Sequence, residues 1–544
     1  MKILEFTPKK IMDLWKYTSD KSDLIVSMSK KGTYMLDEVS SMIWERCNGI
    51  NTVEALIDYV CSTYDMLNEK AEVTADIIEL LSQWQKENMI ILNYNPLHAF
   101  GEYDNEKLYT VPMSDVEVDV LLVLPPSPNP ISKISGKIQQ IFPLGIGYIS
   151  SMLKKNGFKV QILSLWLNNM NEKSIKHIIS KLNPTILGVS TMTDNFLNGV
   201  YIASLAKEVN PNIVTVFGGP HVTFEDYSSL LKHSEIDIVS RNEGEYQFID
   251  LANYFINNTG SLKDIKGITY REDDAILRNP SHPLIKNLDD LPFPDRECTD
   301  LKTSIVGIQT SRGCPGGCIF CVASSMAGGR YRVRSAKNVV DEIEELYTLG
   351  ARKFLFQDDT FTANIDRLYE ILNLIKERNL DISWSAESRV DVIDKDPNIF
   401  KVMQEHGCHS LQFGIEAGSQ ESLDALKKDI TIDQIHRAIT ATKEAGINPV
   451  CSMLIGHPYD TKKSIEISVQ FAETLVSYGA FVLFAIVCPY PGTQIERRKE
   501  HFGIDIKDES FNNYHVANCF IETKYLTLKE IRNLYYDAMV RICS

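Results

Sequence analysis

A chain of 544 residues, 44% hydrophobic and 24% charged, with no repeat and no low-complexity tract, is too long for one core, and about three or four globular domains are expected. Against 56 Lys and Arg stand 72 Asp and Glu, a net charge of -16 that argues against nonspecific binding to nucleic acid or anionic lipid. No apolar signal core opens the sequence and its most apolar run, residues 478–488, is too short to span a bilayer, so the eleven cysteines point to metal or redox chemistry in a cytoplasmic enzyme, not to a disulfide framework.

Residues 1–95 begin with the strand-like pieces LIVSMS and GTYML. Helical periodicity follows in NTVEALIDYVCSTY, where Val53, Leu56, Ile57 and Val60 share one face and Asn51 with Glu54 resembles a capping box. A helix over 74–87 and a terminal strand, MIILNY, complete a small α+β unit, and residues 96–117 read as a polar linker. Over 118–260 short apolar strands alternate with helices: VDVLLVL, FKVQILSL, TILGVS, NIVTVFG and IDIVS. This predicts a doubly wound, Rossmann-like parallel sheet whose ligand crevice lies at the carboxyl ends, among LPPSP, VSTMTDN, FGGPH and RNEGE. Residues 261–300 are expected to be a connector. A second series over 301–500, SIVGIQT, ARKFLFQDD, DISWSAES, HSLQFGIE, INPVCSMLIG and FVLFAIVCP, predicts a partial (β/α)6 barrel of the TIM type. Residues 501–544 are expected to extend over the barrel mouth, which makes the whole an α/β multidomain chain.

Cys314, Cys318 and Cys321 stand in SRGCPGGCIFC, a loop directly after the first of the later strands. Glycines at 313, 316 and 317 let the backbone turn around whatever the thiolates hold. Three thiolates can ligate three irons of a four-iron cluster and leave the fourth iron open. A structural zinc site is the alternative, but zinc wants four closed protein ligands, and no second cysteine pair lies nearby. The remaining cysteines are scattered mostly among apolar neighbours, where cysteine usually behaves as a small buried hydrophobe.

This spacing, with Phe320 just before the last cysteine, resembles the radical S-adenosylmethionine (SAM) superfamily, and motifs at other strand ends match it. The resemblance implies a [4Fe-4S] cluster on Cys314, Cys318 and Cys321, with SAM chelated to the open iron. It implies SAM contacts from Phe320, from Asp358 and Asp359 of FQDDTFT at the amino group, and from Arg389 of SAESRVD at the carboxylate. Glu416 of FGIEAGS is then expected at ribose hydroxyls, and Ile455 and Gly456 of SMLIGHP on the adenine side. Taken singly, each polar residue has an ordinary reading as a strand-end or helix-cap residue.

Residues 118 to about 255 resemble the cobalamin-binding domain found ahead of many radical SAM barrels, through PLGIGYISSMLKKNGFKV, GVSTMTDN, VFGGPHV and NEGE. The likeness implies cobalamin contacts from Pro125, Ser190, Thr191, Thr193, Gly218, Gly219, His221, Glu243 and Gly244; a cofactor-free α/β domain is the plainer alternative. The D-x-H-x-x-G signature that supplies a histidine to cobalt is absent, and no cobalt bond is assigned to His221. Asn242 stands where the family often has the first glycine of G-E-G-E, which leaves the local turn open. Residues 1–95 resemble the PqqD-like peptide-recognition module, through GTYMLDEVSSMIWERCNGINTVEALIDYV and ADIIELLSQWQKENMI. That implies a leader peptide added as a further strand. No basic recognition helix supports a DNA-binding reading of its winged-helix character, and a purely structural cap is the bland alternative.

Together the resemblances imply an enzyme acting on a ribosomally synthesised precursor peptide. A 5'-deoxyadenosyl radical would take hydrogen from an unactivated carbon and methylcobalamin would deliver a methyl group, while the protein supplies orientation and exclusion of water. An external one-electron reductant is implied; nucleic acid and membrane are not. Radical cyclisation or cross-linking without methyl transfer from cobalamin uses the same parts. A peptide-binding scaffold or iron-sulfur sensor would lack SAM turnover.

Overall fold

The computed structural model describes residues 38–47, 53–64, 66, 69–86, 117–127, 144–165 and 171–543 apart from 509, 512, 513 and 517, together with the short strands of the N-terminal module named below. Asn51 and the expected linker as far as residue 116 lie outside the described residues.

In the N-terminal module, β1 (Trp15–Tyr17), β2 (Leu24–Met28) and β3 (Gly32–Leu36) form an antiparallel sheet in that order. A second ladder pairs Lys9–Lys10 with Ile90–Ile91. Helices α1 (Glu38–Arg46), α2 (Val53–Thr63) and α3 (Lys70–Lys86) enclose a core in which Trp44 and Trp84 meet edge to face at 5.3 Å. Val53, Leu56, Ile57 and Val60 are buried together, as their 3.6-residue period requires of a helix with one apolar face.

The middle domain runs β4 (Val120–Leu124), α4 (Leu144–Lys155), β5 (Val160–Ser164), α5 (Glu172–Leu182), β6 (Ile186–Ser190), α6 (Phe196–Val209), β7 (Val214–Gly218), α7 (Pro220–Phe224), α8 (Asp226–Lys232), β8 (Ile238–Ser240) and α9 (Glu245–Phe255). Every residue of β4 is buried, as expected of a central strand covered by helices on both faces. The sheet order is β10-β9-β8-β7-β6-β4-β5, where β9 (Ile268–Glu272) and β10 (Ala275–Arg278) form an antiparallel hairpin added to β8. The stretch expected to be a connector from residue 261 therefore carries two strands of this sheet, and the domain does not end at 260. Asp273, with φ +53°, makes the tight turn that lets the hairpin close.

The barrel series is β11 (Val306–Ile308), a two-residue ladder of β12 (Ser311–Arg312) with β13 (Arg332–Val333), α10 (Ala336–Thr348), β14 (Lys353–Phe356), α11 (Ile365–Glu377), β15 (Ser383–Ser388), α12 (Ile399–Glu405), β16 (Cys408–Glu416), α13 (Ile432–Glu444), β17 (Asn448–Ile455), α14 (Lys462–Ser477) and β18 (Phe481–Ile486). Its six long strands are all parallel, in the order β11-β14-β15-β16-β17-β18. Along β15, Trp384 and Ala386 are buried under the helices while Ser383, Ser385 and Glu387 face the lumen, the period-2 pattern of a barrel strand. Helix starts are pinned by side chains: Asn364 caps α11, and Thr431 with Gln434 closes a capping box on α13.

After the barrel, a hairpin of β19 (Asp505–Ile506) with β20 (Ile521–Glu522) leads to α15 (Leu528–Cys543), which packs on α14 and β18 on one side and on β1 of the N-terminal module on the other. This segment also reaches the middle domain, where Phe511 lies 4.5 Å from the ring of His221 and 6.0 Å from Phe196. Among the described residues no helix is long and apolar enough to cross a membrane.

The middle domain and barrel are locked together by buried polar contacts. Glu342 of α10 accepts from Arg296 and Arg334, each at 2.5 Å, and Arg334 also reaches the hydroxyl of Tyr148 on α4. PYPGT belongs to the same seam: a Cβ on Gly492 would stand 2.5 Å from the Phe224 ring.

Candidate active site

The cysteine loop, residues 313–331, is closed at its base by the β12–β13 ladder, so its ends stay together whatever the loop holds. A Cβ on Gly316 would stand 3.4 Å from Cys314 Sγ, 3.9 Å from Cys318 Sγ and 3.5 Å from Arg389 Nη1, so both thiols and the guanidinium face one small space. All three cysteines are free. Burial pushes the Cys321 thiol up to about 11, with Cys318, Asp359 and Cys314 adding to the shift. Burial raises Cys318 too, against the pull of the nearby Lys428 and Arg389 cations. Such thiols are protonated without metal and become ligands as a cation displaces the proton. Among the described residues no three His, Cys, Asp or Glu side chains converge on one ion position. Thiolates that each bind a different iron do not need to, so the donor set fits a cluster.

The candidate SAM residues divide into those open to the mouth and those already engaged. Asp359 is exposed, and its Oδ2 accepts from Gly313 N at 3.1 Å, beside the cysteine loop. Partial desolvation beside the cysteine loop, despite that exposure, and then the neighbouring Asp358 raise its pKa. Asp358 itself is buried: its oxygens accept from Thr310 N at 2.6 Å, Ser311 Oγ at 2.6 Å and Thr310 Oγ1 at 2.5 Å, with Arg367 3.8 Å away. The expectation of an open carboxylate there is corrected, since Asp358 ties strand ends together. Arg389 donates to the Asp429 carbonyl at 2.8 Å and to Asp391 at 3.1 Å, leaving Nη1 toward the loop. Glu416, at φ +68° on a bulge between β16 and β17, pairs with the buried Lys428 at 2.7 Å. Gly414 makes room for that pair, since its Cβ would stand 2.4 Å from Glu416 Oε1 and 2.6 Å from Lys428 Nζ. Phe320 is half-buried against the barrel core.

Ile455 is wholly buried in that core, and Gly456, at φ +86°, faces Ile531 of α15, which a Cβ would meet at 2.9 Å. Packing of the C-terminal helix therefore accounts for the glycine, and Ile455 presents no side chain to the mouth. Two mouth residues escaped the sequence reading. Lys428 lies twelve positions beyond Glu416, outside any strand-end motif. Glu387, two positions before Arg389, has its pKa raised from 4.5 to about 7, by burial first, then by Asp359 and Glu416, with Lys428 opposing. Water still reaches it through the open mouth.

On the middle domain, Ser190, Gly218, Gly219 and Gly244 line a slot at the carboxyl ends of β4, β6, β7 and β8, together with Leu122, Ile146, Ile149, Gly188, Val189, Ser240, Asn242 and Phe248. A Cβ on Gly218 would meet no protein atom nearer than Ser240 O at 3.7 Å, so that glycine keeps the slot itself open. Gly219 answers a different need: at φ +101° its Cβ would stand 2.3 Å from Thr191 O. Asn242 takes φ +65°, a left-handed conformation that asparagine tolerates, so the turn forms without the family's usual glycine.

Several cobalamin candidates point elsewhere. Thr191 spends its N–H and hydroxyl on the Gly218 carbonyl, at 2.9 and 3.2 Å. Pro125 gives its carbonyl to Asn195, and Thr193 is buried outside the slot lining. His221 is buried against Phe196, with ring centroids 4.2 Å apart, and burial lowers its pKa to about 3, so it is a neutral packing residue. Glu243 accepts from Arg312 at 2.8 Å, Arg332 at 2.9 Å and Ile285 N at 2.7 Å, which leaves it no part in the slot. Burial opposes ionisation of Glu243, but these partners hold its pKa below the ordinary carboxylate value.

Comparison with known proteins agrees with this arrangement. The family models "Radical SAM superfamily", "B12 binding domain" and "Coenzyme PQQ synthesis protein D (PqqD)" match residues 308–472, 139–252 and 24–90. The chain is 36% identical to "Uncharacterized methyltransferase PH0819" of Pyrococcus horikoshii, over 77% of this chain and 91% of that one. It is 31% identical to the anaerobic magnesium-protoporphyrin IX monomethyl ester cyclase of Rubrivivax gelatinosus, over 61% of this chain and 62% of that one. The solved structure of the radical SAM methyltransferase TsrM from Kitasatospora setae shares the fold, with TM-score 0.62 and 17% identity over 79% of this chain and 88% of that one. The cobalamin-dependent radical enzyme OxsB does likewise, with TM-score 0.63 and 16% identity over 79% of this chain and 69% of that one. With its thiol loop on a six-stranded partial barrel and its glycine-lined slot on the sheet beside it, the chain belongs to the cobalamin-binding radical SAM enzymes and carries a PqqD domain ahead of both.

Proposed function

We propose that the protein methylates an unactivated carbon of a ribosomally synthesised peptide. The observation that carries this reading is the meeting of the two sets of strand ends. The loops after β4 and β6, where Ser127 donates to Asp194 at 2.5 Å, face Cys488 and Tyr490 just beyond β18, close enough for Asp194 to act electrostatically on both. A carbon held in that seam would have the strand ends of the barrel on one side and those of the middle domain on the other. Relatives that bear methyltransferase names include PH0819 and the cytidylyl-2-hydroxyethylphosphonate methyltransferase of Streptomyces wedmorensis, the latter 26% identical over 68% of this chain.

When bound, cluster and SAM supply a carbon-centred radical and cobalamin supplies the methyl group. The chain holds and orients them. Cys314, Cys318 and Cys321 would ligate three irons, Asp359 and Glu387 would take the SAM ammonium, and Arg389 would take its carboxylate. The Glu416–Lys428 pair would serve the ribose hydroxyls, and Ser190, Gly218, Gly219, Asn242 and Gly244 would admit cobalamin along the backbone. An external one-electron donor completes the cycle. The ten cysteines whose side chains are described are all free. For the leader peptide, β3 offers a sheet edge, while the opposite edge strand, β1, is packed on α15.

The cyclase relative favours a second reading, radical ring closure with no methyl transfer. Quantifying the nucleosides made by the reconstituted enzyme with peptide separates the two. Methylation gives 5'-deoxyadenosine together with S-adenosylhomocysteine, whereas 5'-deoxyadenosine alone means cyclisation or cross-linking. Deleting residues 1–95 is expected to abolish peptide affinity and leave peptide-free SAM cleavage intact; undiminished affinity would sink the leader assignment.

A further inference from the structure

We propose that Arg312, clasped by Glu243 and Glu245, is a positioning residue that sets the cysteine loop in register with the glycine-lined slot, so that the two cofactor sites form as one unit. The proposal rests on reading loop and slot as those sites.

Arg312 stands two positions before Cys314, in the ladder that closes the cysteine loop, and its register partner across that ladder is Arg332. Two guanidiniums directly opposite each other repel unless an anion lies between them. The middle domain supplies it: Glu243 accepts from Arg312 Nη1 at 2.8 Å through one oxygen and from Arg332 Nη1 at 2.9 Å through the other. Glu245 takes the remaining arm, Arg312 Nη2, at 2.6 Å. The base of the loop is thus gripped from outside the barrel by two carboxylates.

The residue between those carboxylates, Gly244, lines the slot, as does Asn242 before them. The Arg312 guanidinium also lies 5.2 Å from the ring centroid of Tyr148, and Tyr148 is flanked on α4 by the slot residues Ile146 and Ile149. One side chain therefore contacts the chain neighbours of slot residues on two elements, the 242–245 turn and α4, and carries the loop on its own backbone. The ions are at most 13% exposed. Burying them serves geometry more than stability, because apolar contacts of the same area would tolerate sliding, whereas a forked guanidinium accepts one orientation of its carboxylates.

Amide hydrogen exchange on the cluster-free chain, with and without hydroxocobalamin, tests this. In the natural chain cobalamin is expected to slow exchange at least tenfold both in 241–249, beside the slot, and across 311–333. In Arg312→Gln protection is expected to persist at 241–249 and disappear at 311–333, with partial return in Arg312→Lys. Glu245→Gln keeps the shape, removes the charge from one arm of the fork, and gives the same readout in a less disturbed fold. In the reconstituted variants, 5'-deoxyadenosine formed per S-adenosylhomocysteine is expected to rise severalfold. Unaltered protection of 311–333 in Arg312→Gln and Glu245→Gln would overturn the positioning role, as would protection confined to 241–249 in the natural chain. Absence of any protection at 241–249 in the natural chain would overturn the cofactor reading of the slot, and the positioning role with it.

Discussion

The parallel strands of the two sheets present their carboxyl ends to one seam but furnish them differently. The slot of the middle domain has apolar walls, small residues and neutral polar groups, without one charged side chain among its lining residues. The barrel mouth gathers Asp359, Glu387, Arg389, Glu416 and Lys428 around three thiols. Shape selects in the first and charge in the second, as expected if one takes a bulky cofactor along glycines and the other a zwitterion.

Four changes test that contrast, beginning with the most damaging. Alanine at Cys314, Cys318 or Cys321 is expected to abolish both bound iron and SAM cleavage while leaving cobalamin uptake in place. Iron analysis and nucleoside chromatography read it, and iron retained at the natural level would remove the cluster assignment. Lys428→Met leaves the carboxylate of Glu416 buried without its 2.7 Å partner, at a cost of about 3–5 kcal/mol in unfolding free energy by denaturant titration. A cost below about 1 kcal/mol would show that the pair contributes little to the fold.

Gly218→Val adds a side chain where the slot, not the protein, has room. Cobalamin affinity is expected to fall at least about tenfold, or about 1.4 kcal/mol, with the melting temperature of the cofactor-free chain unmoved. Unchanged affinity would place the cofactor elsewhere. The smallest effect belongs to Glu387, whose pKa is raised from 4.5 to about 7. The folded chain holds that proton more tightly than the unfolded one, so its ionisation costs nothing below pH 4.5, progressively more up to 7, and its full amount above. Glu387→Gln is therefore expected to raise the melting temperature of the cofactor-free chain by about 2 °C at pH 8 and to leave it unchanged near pH 4. Equal shifts at both values would mean that the carboxyl is not perturbed.

Much of this was readable in the sequence because its signals are local. Strand alternation and glycine-rich turns arise from neighbours a few positions apart, so the six barrel strands and the cysteine loop were legible. The hairpin at 268–278, in which ITYRE and AILR flank Asp273–Asp274, was instead expected to be part of a connector, because its pairing with Ile238–Ser240 is a tertiary contact. What sequence could not rank was adjacent residues of the same chemistry. Asp358 and Asp359 look alike as letters, yet one faces Thr310 and Ser311 and the other the mouth.

By itself, then, the sequence determined the order of elements, the donor atoms of the cysteine loop and the family to which both belong. Tertiary structure decided which charges remain available. Glu243 was committed to Arg312 and His221 to an aromatic packing site because their partners lie 69 positions away for the first and, for the second, include Phe511 from the far end of the chain. Burial and electrostatics act through space, so a side chain's chemistry is settled only when distant segments have packed around it.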